Sequence, residues 1–185
     1  MNKKYLARVT LVALLGVSLS GCETPTTQRY SISAENNIAL KSIGATGIGV
    51  GNFNPPSSFS SNCRALGPLK VADNMTHTGY IQKAFEDELR VAGIHAATNA
   101  RVVLSGSVDK LEFSSARALT GGQWTIGLTL RSSNGKQMTV NEYYEFDTGF
   151  VATEACRNTA EAYSRAVQNL VAKTVKDPVF VSLVK

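Results

Sequence analysis

The sequence predicts an α+β two-layer sandwich: a four-stranded mixed sheet with two helices on one face, in the order β-α-β-β-β-α. Three observations lead there. Residues 78–92 and 154–175 carry apolar side chains at helical spacing. Residues 47–53, 101–113, 123–131 and 137–150 alternate apolar with polar or small residues, as half-buried strands do. Asn134-Gly135 joins the last two strands and is the strongest hairpin signal in the chain. A β-α-β crossover makes the first two strands parallel, and hairpins make the rest antiparallel.

The first strand, 47–53, interleaves glycine with Ile48, Val50 and Phe53, which lets a neighbour approach its backbone. It is not a phosphate loop, because no Gly-Lys-Ser/Thr follows and the spacing misses Gly-x-Gly-x-x-Gly. Residues 54–76 form a long loop with Pro55-Pro56, four serines and Cys63. Loops of that length are often functional, so Ser58 marks one candidate contact surface. In the first helix Ile81, Ala84, Phe85, Leu89 and Ala92 make the inner stripe, and Gly93 stops it. Glu86, Asp87 and Glu88 fan around the helix and read as solvated surface, not as a paired acid–base site. His77 and His95 flank this helix, too far apart to share a metal.

In the strand at 101–113 the apolar phase set by Val102, Leu104, Gly106 and Val108 slips at Leu111 and Phe113, the mark of a bulge. The next strand points Trp124, Ile126, Leu128 and Leu130 inward. Its hairpin partner points Met138, Val140, Tyr144, Phe146 and Phe150 the same way, with Tyr143 on the opposite, polar face. Glu142 is the one acid in phase with the apolar side, which predicts an edge position or a cationic partner. Thr153 is placed to cap the last helix, whose inner stripe includes Cys156, Ala160, Tyr163, Val167 and Leu170. Pro178 ends it, and 179–184 is an apolar tail that needs cover.

Composition sets outer limits. The 185 residues are 43% hydrophobic and 18% charged, which is globular. The net charge of +5 is misleading: Lys3, Lys4 and Arg8 lie in an acid-free stretch of 21 residues, without which the balance is +2. No basic cluster remains that would read nucleic acid. Two histidines leave little for a metal site, and no cofactor motif occurs.

Residues 1–8 are positive, 9–18 are apolar but too short to span a bilayer, and Leu19-Ser20-Gly21-Cys22 follows. This order resembles the lipobox of bacterial lipoproteins. The resemblance implies a signal peptide at 1–21, cleavage before Cys22, and acylation of that cysteine's sulfur, which anchors the chain in a membrane. Glu23 at the second mature position, in place of Asp, implies the outer membrane, with the body in the periplasm. Residues 22–43 are polar and aperiodic and read as a flexible tether, with a short edge strand around 30–33 as the alternative. A single domain then occupies 44–185. With Cys22 used by the lipid, Cys63 and Cys156 remain in an oxidising compartment and read as a disulfide; a reactive thiol at Cys156 is the alternative.

The helix 79–93, the hairpin around 133–136 and the segment 162–170 join the lipobox in resembling the YajG-like lipoproteins. More distantly they resemble the ABC-transport-auxiliary and TolB-N-terminal-like periplasmic lipoprotein domains. The resemblance implies a non-enzymatic envelope protein, an accessory to transport, secretion or cell-wall machinery through a protein partner. It carries over no functional residue beyond Cys22. The candidate partner contacts are Ser58 on the long loop and Tyr143 on the open sheet face. A second expectation is a binder of a small apolar or lipid ligand lined by Trp124, Phe146 and Phe150. A hydrolase built on serine or Cys156 lacks a recognisable histidine signature, and no catalytic group is expected.

Overall fold

The structure, a computed structural model, describes residues 24–118 and 120–185. In chain order its elements are β1 (Thr26–Thr27), α1 (Ala34–Ser42), β2 (Ile48–Asn54), β3 (Lys70–Val71), α2 (His77–Val91), β4 (Val102–Arg117), β5 (Gly121–Ser132), β6 (Gln137–Asp147), α3 (Ala152–Lys176) and α4 (Pro178–Val184). The main sheet runs β2-β4-β5-β6, with β2 parallel to β4 and the other pairs antiparallel. This is the α+β arrangement read from the sequence, with α2 and α3 laid on the sheet.

Local chemistry explains each boundary. Thr76 caps α2, its hydroxyl accepting from the Gly79 N–H at 2.9 Å. Gly93 takes φ = 76° just past the end, where a side chain would be strained. In β4 the bulge falls where the apolar phase slips: Val108 faces Leu128 and Lys110 faces Gly127, leaving Asp109 unpaired. The ring of Phe53 lies over Gly106, where an added Cβ would approach it within 2.6 Å. The last hairpin closes with Gly135 left-handed at φ = 86° and the Asn134 side chain accepting from the Lys136 N–H at 3.0 Å. Between sheet and helices lies one core, with Trp124, Tyr163, Ile81, Leu104 and Leu128 among its fully buried side chains.

Three expectations are corrected. The stretch read as a tether is packed: β1 pairs with β3, Thr27, Asn36 and Leu40 are buried, and α1 lies on α2 and α3. Its helix is only weakly amphipathic and buries just two residues, so hydrophobic periodicity could not reveal it. Thr153 is not the cap of α3; Val151 holds that position and offers no side-chain bond. Phe150 is not on the inner face, because β6 ends at Asp147. The apolar tail has the cover it was expected to need: it forms a short helix capped by Asp177, and Phe180, Leu183 and Val184 are fully buried.

Candidate functional site

The sheet has one covered face and one open face. On the open side β4, β5 and β6 present Ser105, Asp109, Glu112, Arg131, Gln137, Thr139, Asn141, Tyr143 and Glu145, all solvent-exposed. Alternation puts them there, with neighbours such as Leu104, Val108, Leu111, Leu130, Met138, Val140 and Glu142 buried on the other side. Tyr143, opposite Thr125, is 60% exposed. The face is ordered by its own bonds. The Thr129 hydroxyl donates to Asp109 at 2.6 Å and lies 2.8 Å from the Thr139 hydroxyl, and Arg117 pairs with Glu145 at 2.7 Å. On the other side of β6, Glu142 is buried and reaches Lys173 at 2.6 Å. This edge strand and its cationic partner are what its phase predicts.

Ser58 is exposed on the long loop, beside an open cleft of about 460 Å³ whose walls include Pro55, Pro56, Phe59, Thr76 and His77. That loop is not a loose excursion. Cys63 is bonded to Cys156, and Cys63, Leu69 and Val71 are buried. Ser58 therefore lies on the helix side and Tyr143 on the open sheet face. They are two separate surfaces. Cys22 and the lipobox lie outside the described residues.

Behind the cleft is an aromatic cluster. His77 meets Phe59 at 4.8 Å and Tyr163 at 5.1 Å between ring centres, with Trp124 at 6.1 Å. Tyr163 donates its hydroxyl to the His77 carbonyl at 2.8 Å, and burial raises that hydroxyl's pKa. The His77 Nε2 is buried without a partner among the described residues, and burial lowers the ring's pKa from 6.5 to about 4. The ring is thus neutral at pH 7 and packs as an aromatic. The unfolded chain takes up this proton near pH 6.5 and the folded one only near pH 4. Stability is therefore fully present above 6.5 and falls as pH drops toward 4, by about 3 kcal/mol. Urea titrations of wild type and His77→Phe between pH 4 and 7 check this; the variant loses that part of the slope.

The three aromatics proposed to line a ligand cavity are not brought together. Trp124 is fully buried, its indole N–H donating to the Thr159 carbonyl at 2.8 Å and its ring packed on Tyr163. Phe146 stacks on Tyr144 and lies over Gly122, whereas Phe150 is 78% exposed. His95 lies past the opposite end of α2 from His77, bridged to Ile48. Among the described residues no three His, Cys, Asp or Glu side chains form a metal-ligating group, and no helix is long and apolar enough to cross a membrane.

Glu88 departs from its reading as surface. It is fully buried, and its Oε1 accepts from the Tyr30 hydroxyl at 2.8 Å, the Ser33 N–H at 2.9 Å and the Asn36 amide at 3.3 Å. Burial and the Glu88 carboxyl together raise the Tyr30 pKa far above its ordinary value, so the phenol stays a donor. This side chain fastens residues 30–36 to α2. Glu86 and Asp87 remain at the surface, paired with Arg90 and Lys83.

The chain matches no family model and no curated protein. Among solved structures it is similar to a DUF330-family protein from Xanthomonas campestris, at 14% identity and a TM-score of 0.49, covering 86% of this chain and 94% of that one. It is also similar to a candidate lipoprotein from Caulobacter crescentus, at 12% and 0.45, covering 81% and 96%. A hypothetical protein from Chlamydia trachomatis follows at 9% and 0.33, covering 71% and 96%. Likenesses of this degree assign no function.

Proposed function

We propose that the chain is a periplasm-facing lipoprotein of the YajG-like kind, anchored in the outer membrane through Cys22. In this reading it serves as a non-catalytic accessory module for an envelope protein in transport, secretion or cell-wall machinery. The observation that carries the docking role is the uncovered face of the sheet. It spans three long strands and is polar and internally bonded, with one large exposed aromatic, Tyr143, among its hydrogen-bonding side chains. A rigid polar surface with an exposed Tyr is suited to a protein partner, because Tyr contributes contact area and a hydroxyl at little entropic cost. The anchor is supported by the order of charge, apolar run and Leu-Ser-Gly-Cys in residues 1–22. In-cell photo-crosslinking from position 143 tests the reading, which expects a dominant envelope-protein adduct there.

A further inference from the structure

Three large apolar side chains are turned outward at one end of the body. Phe150 is 78% exposed, Val151 61% and Leu66 40%. Phe150 and Val151 sit in the connection from β6 to α3, whose backbone is held firmly. Arg64, two residues before Leu66, donates to the Phe150 carbonyl at 3.2 Å and to the Ser115 carbonyl at 2.6 Å. The Thr148 N–H bonds the Thr120 carbonyl at 2.6 Å, and the Val151 carbonyl accepts from Ala155 at 3.0 Å. Thr148 and Gly149 are buried between these fixed points. A connection this well fastened could have folded its apolar residues inward. It presents them to the outside instead, and adjacent large apolar residues presented that way mark a contact surface. The other exposed aliphatic side chains, Ile38, Val91, Val103 and Val179, are on four other elements.

The N-terminal segment shows what lies beyond that end. It runs alongside α3 with a regular correspondence. The Thr27 hydroxyl donates to the Ala160 carbonyl at 2.9 Å, Gln168 donates to the Ser31 carbonyl, and Lys176 pairs with Glu35 at 2.8 Å. Over the extended stretch from Thr27 to Ser31, four residues of the segment thus match eight of the helix, Ala160 to Gln168. Eight helical residues rise about 12 Å, so the segment advances about 3 Å per residue. Carried back three residues, this pitch sets Thr24 level with Glu154 in the first turn of α3, the helix that Val151 caps. The Lys70 N–H bond to the Pro25 carbonyl, at 2.9 Å, fixes the segment to the strand that follows the Arg64–Leu66 turn. Two peptide units separate Thr24 from Cys22, a reach of at most about 7 Å. No long spacer therefore stands between the acylation site and the end that carries Phe150.

We propose that Phe150, Val151 and Leu66 seat this end of the body in the lipid surface that holds the N-terminal acyl chains. The proposal rests on the lipoprotein reading of Cys22 and extends it from a single lipid anchor to a fixed, two-point attachment. Exposed charge at this end is of both signs, with Arg64, Lys70 and Arg157 beside Asp147 and Glu154. The contact is therefore apolar, made by side chains that enter the headgroup–acyl boundary. A body fastened in this way stands on the membrane in one orientation, with α3 rising from it.

The test uses the full chain, purified from membranes and reconstituted in phosphatidylethanolamine–phosphatidylglycerol vesicles with brominated acyl chains. Trp124 is fully buried and supplies a constant background. In Phe150→Trp the added indole is quenched at least about twofold more than in Tyr143→Trp, which places it on the sheet face. The intact mass of the same preparation reports the lipid. Acylated chain with equal quenching at the two positions overturns the seating and leaves the anchor standing, with the patch then available to a protein partner. A chain without lipid mass overturns the lipoprotein reading, and the seating falls with it.

Discussion

Replacing Cys63 and Cys156 together by alanine lowers the unfolding free energy by about 3–5 kcal/mol, or roughly 10 °C in melting temperature. The size follows from the 93-residue separation of the two cysteines: releasing so long a loop returns much chain entropy to the unfolded state. Both cysteines are buried, so alanine leaves no polar group behind. The loss is local before it is global. The bond ties the loop carrying β3 to the first turns of α3, and β3 is the partner of β1. Without it residues 24–27 and 61–71 become the first sites of proteolysis, while the β4–β5–β6 sheet keeps its exchange protection. Urea unfolding of the oxidised chain, the reduced chain and the double alanine variant measures the effect. A change below about 1 kcal/mol would contradict the account, since it falls under the range for native disulfides.

Glu88→Ala costs about 2–4 kcal/mol, because it removes one acceptor from three donors at once, one of them buried and two half-buried. Tyr30, Ser33 and Asn36 are then left to open the segment to water. Glu88→Gln keeps an acceptor oxygen for the same donors and stays within about 1 kcal/mol of wild type. The contrast separates a hydrogen-bond hub from a residue that is merely buried. Hydrogen exchange of residues 30–42 reads the loosening directly, since α1 is held through this contact. Equal destabilisation by the two substitutions would contradict the assignment.

The sheet was legible in the sequence because period-two alternation is a strong signal when one face is buried and the other is not. The slip at Leu111 announced the bulge, and the lone acid Glu142 announced its cation. The buried position of Glu88 was also within reach. It lies seven residues from Ile81, three from Phe85 and four from Ala92, on the inner stripe. Its two acidic neighbours masked that phase, because a run of carboxylates reads as solvated. The packed N-terminal segment left less trace. It is held by hydrogen bonds of Thr27, Tyr30, Ser33 and Asn36 more than by apolar residues, and polar composition looks the same whether bonded to protein or to water. Phe150 was misplaced by extending a period three residues past the end of its strand. Of the two candidate contact residues, both are exposed, and alternation alone identified the open face on which Tyr143 stands.

The most direct measurement is photo-crosslinking in cells producing the full chain, from a photoreactive residue at position 143 and, in parallel, at Ser58. Adducts are identified by mass spectrometry in cells where the chain fractionates with the outer membrane. The account predicts one dominant envelope-protein adduct from position 143, which names the machinery the chain serves. No adduct from either position in such cells would contradict an accessory role.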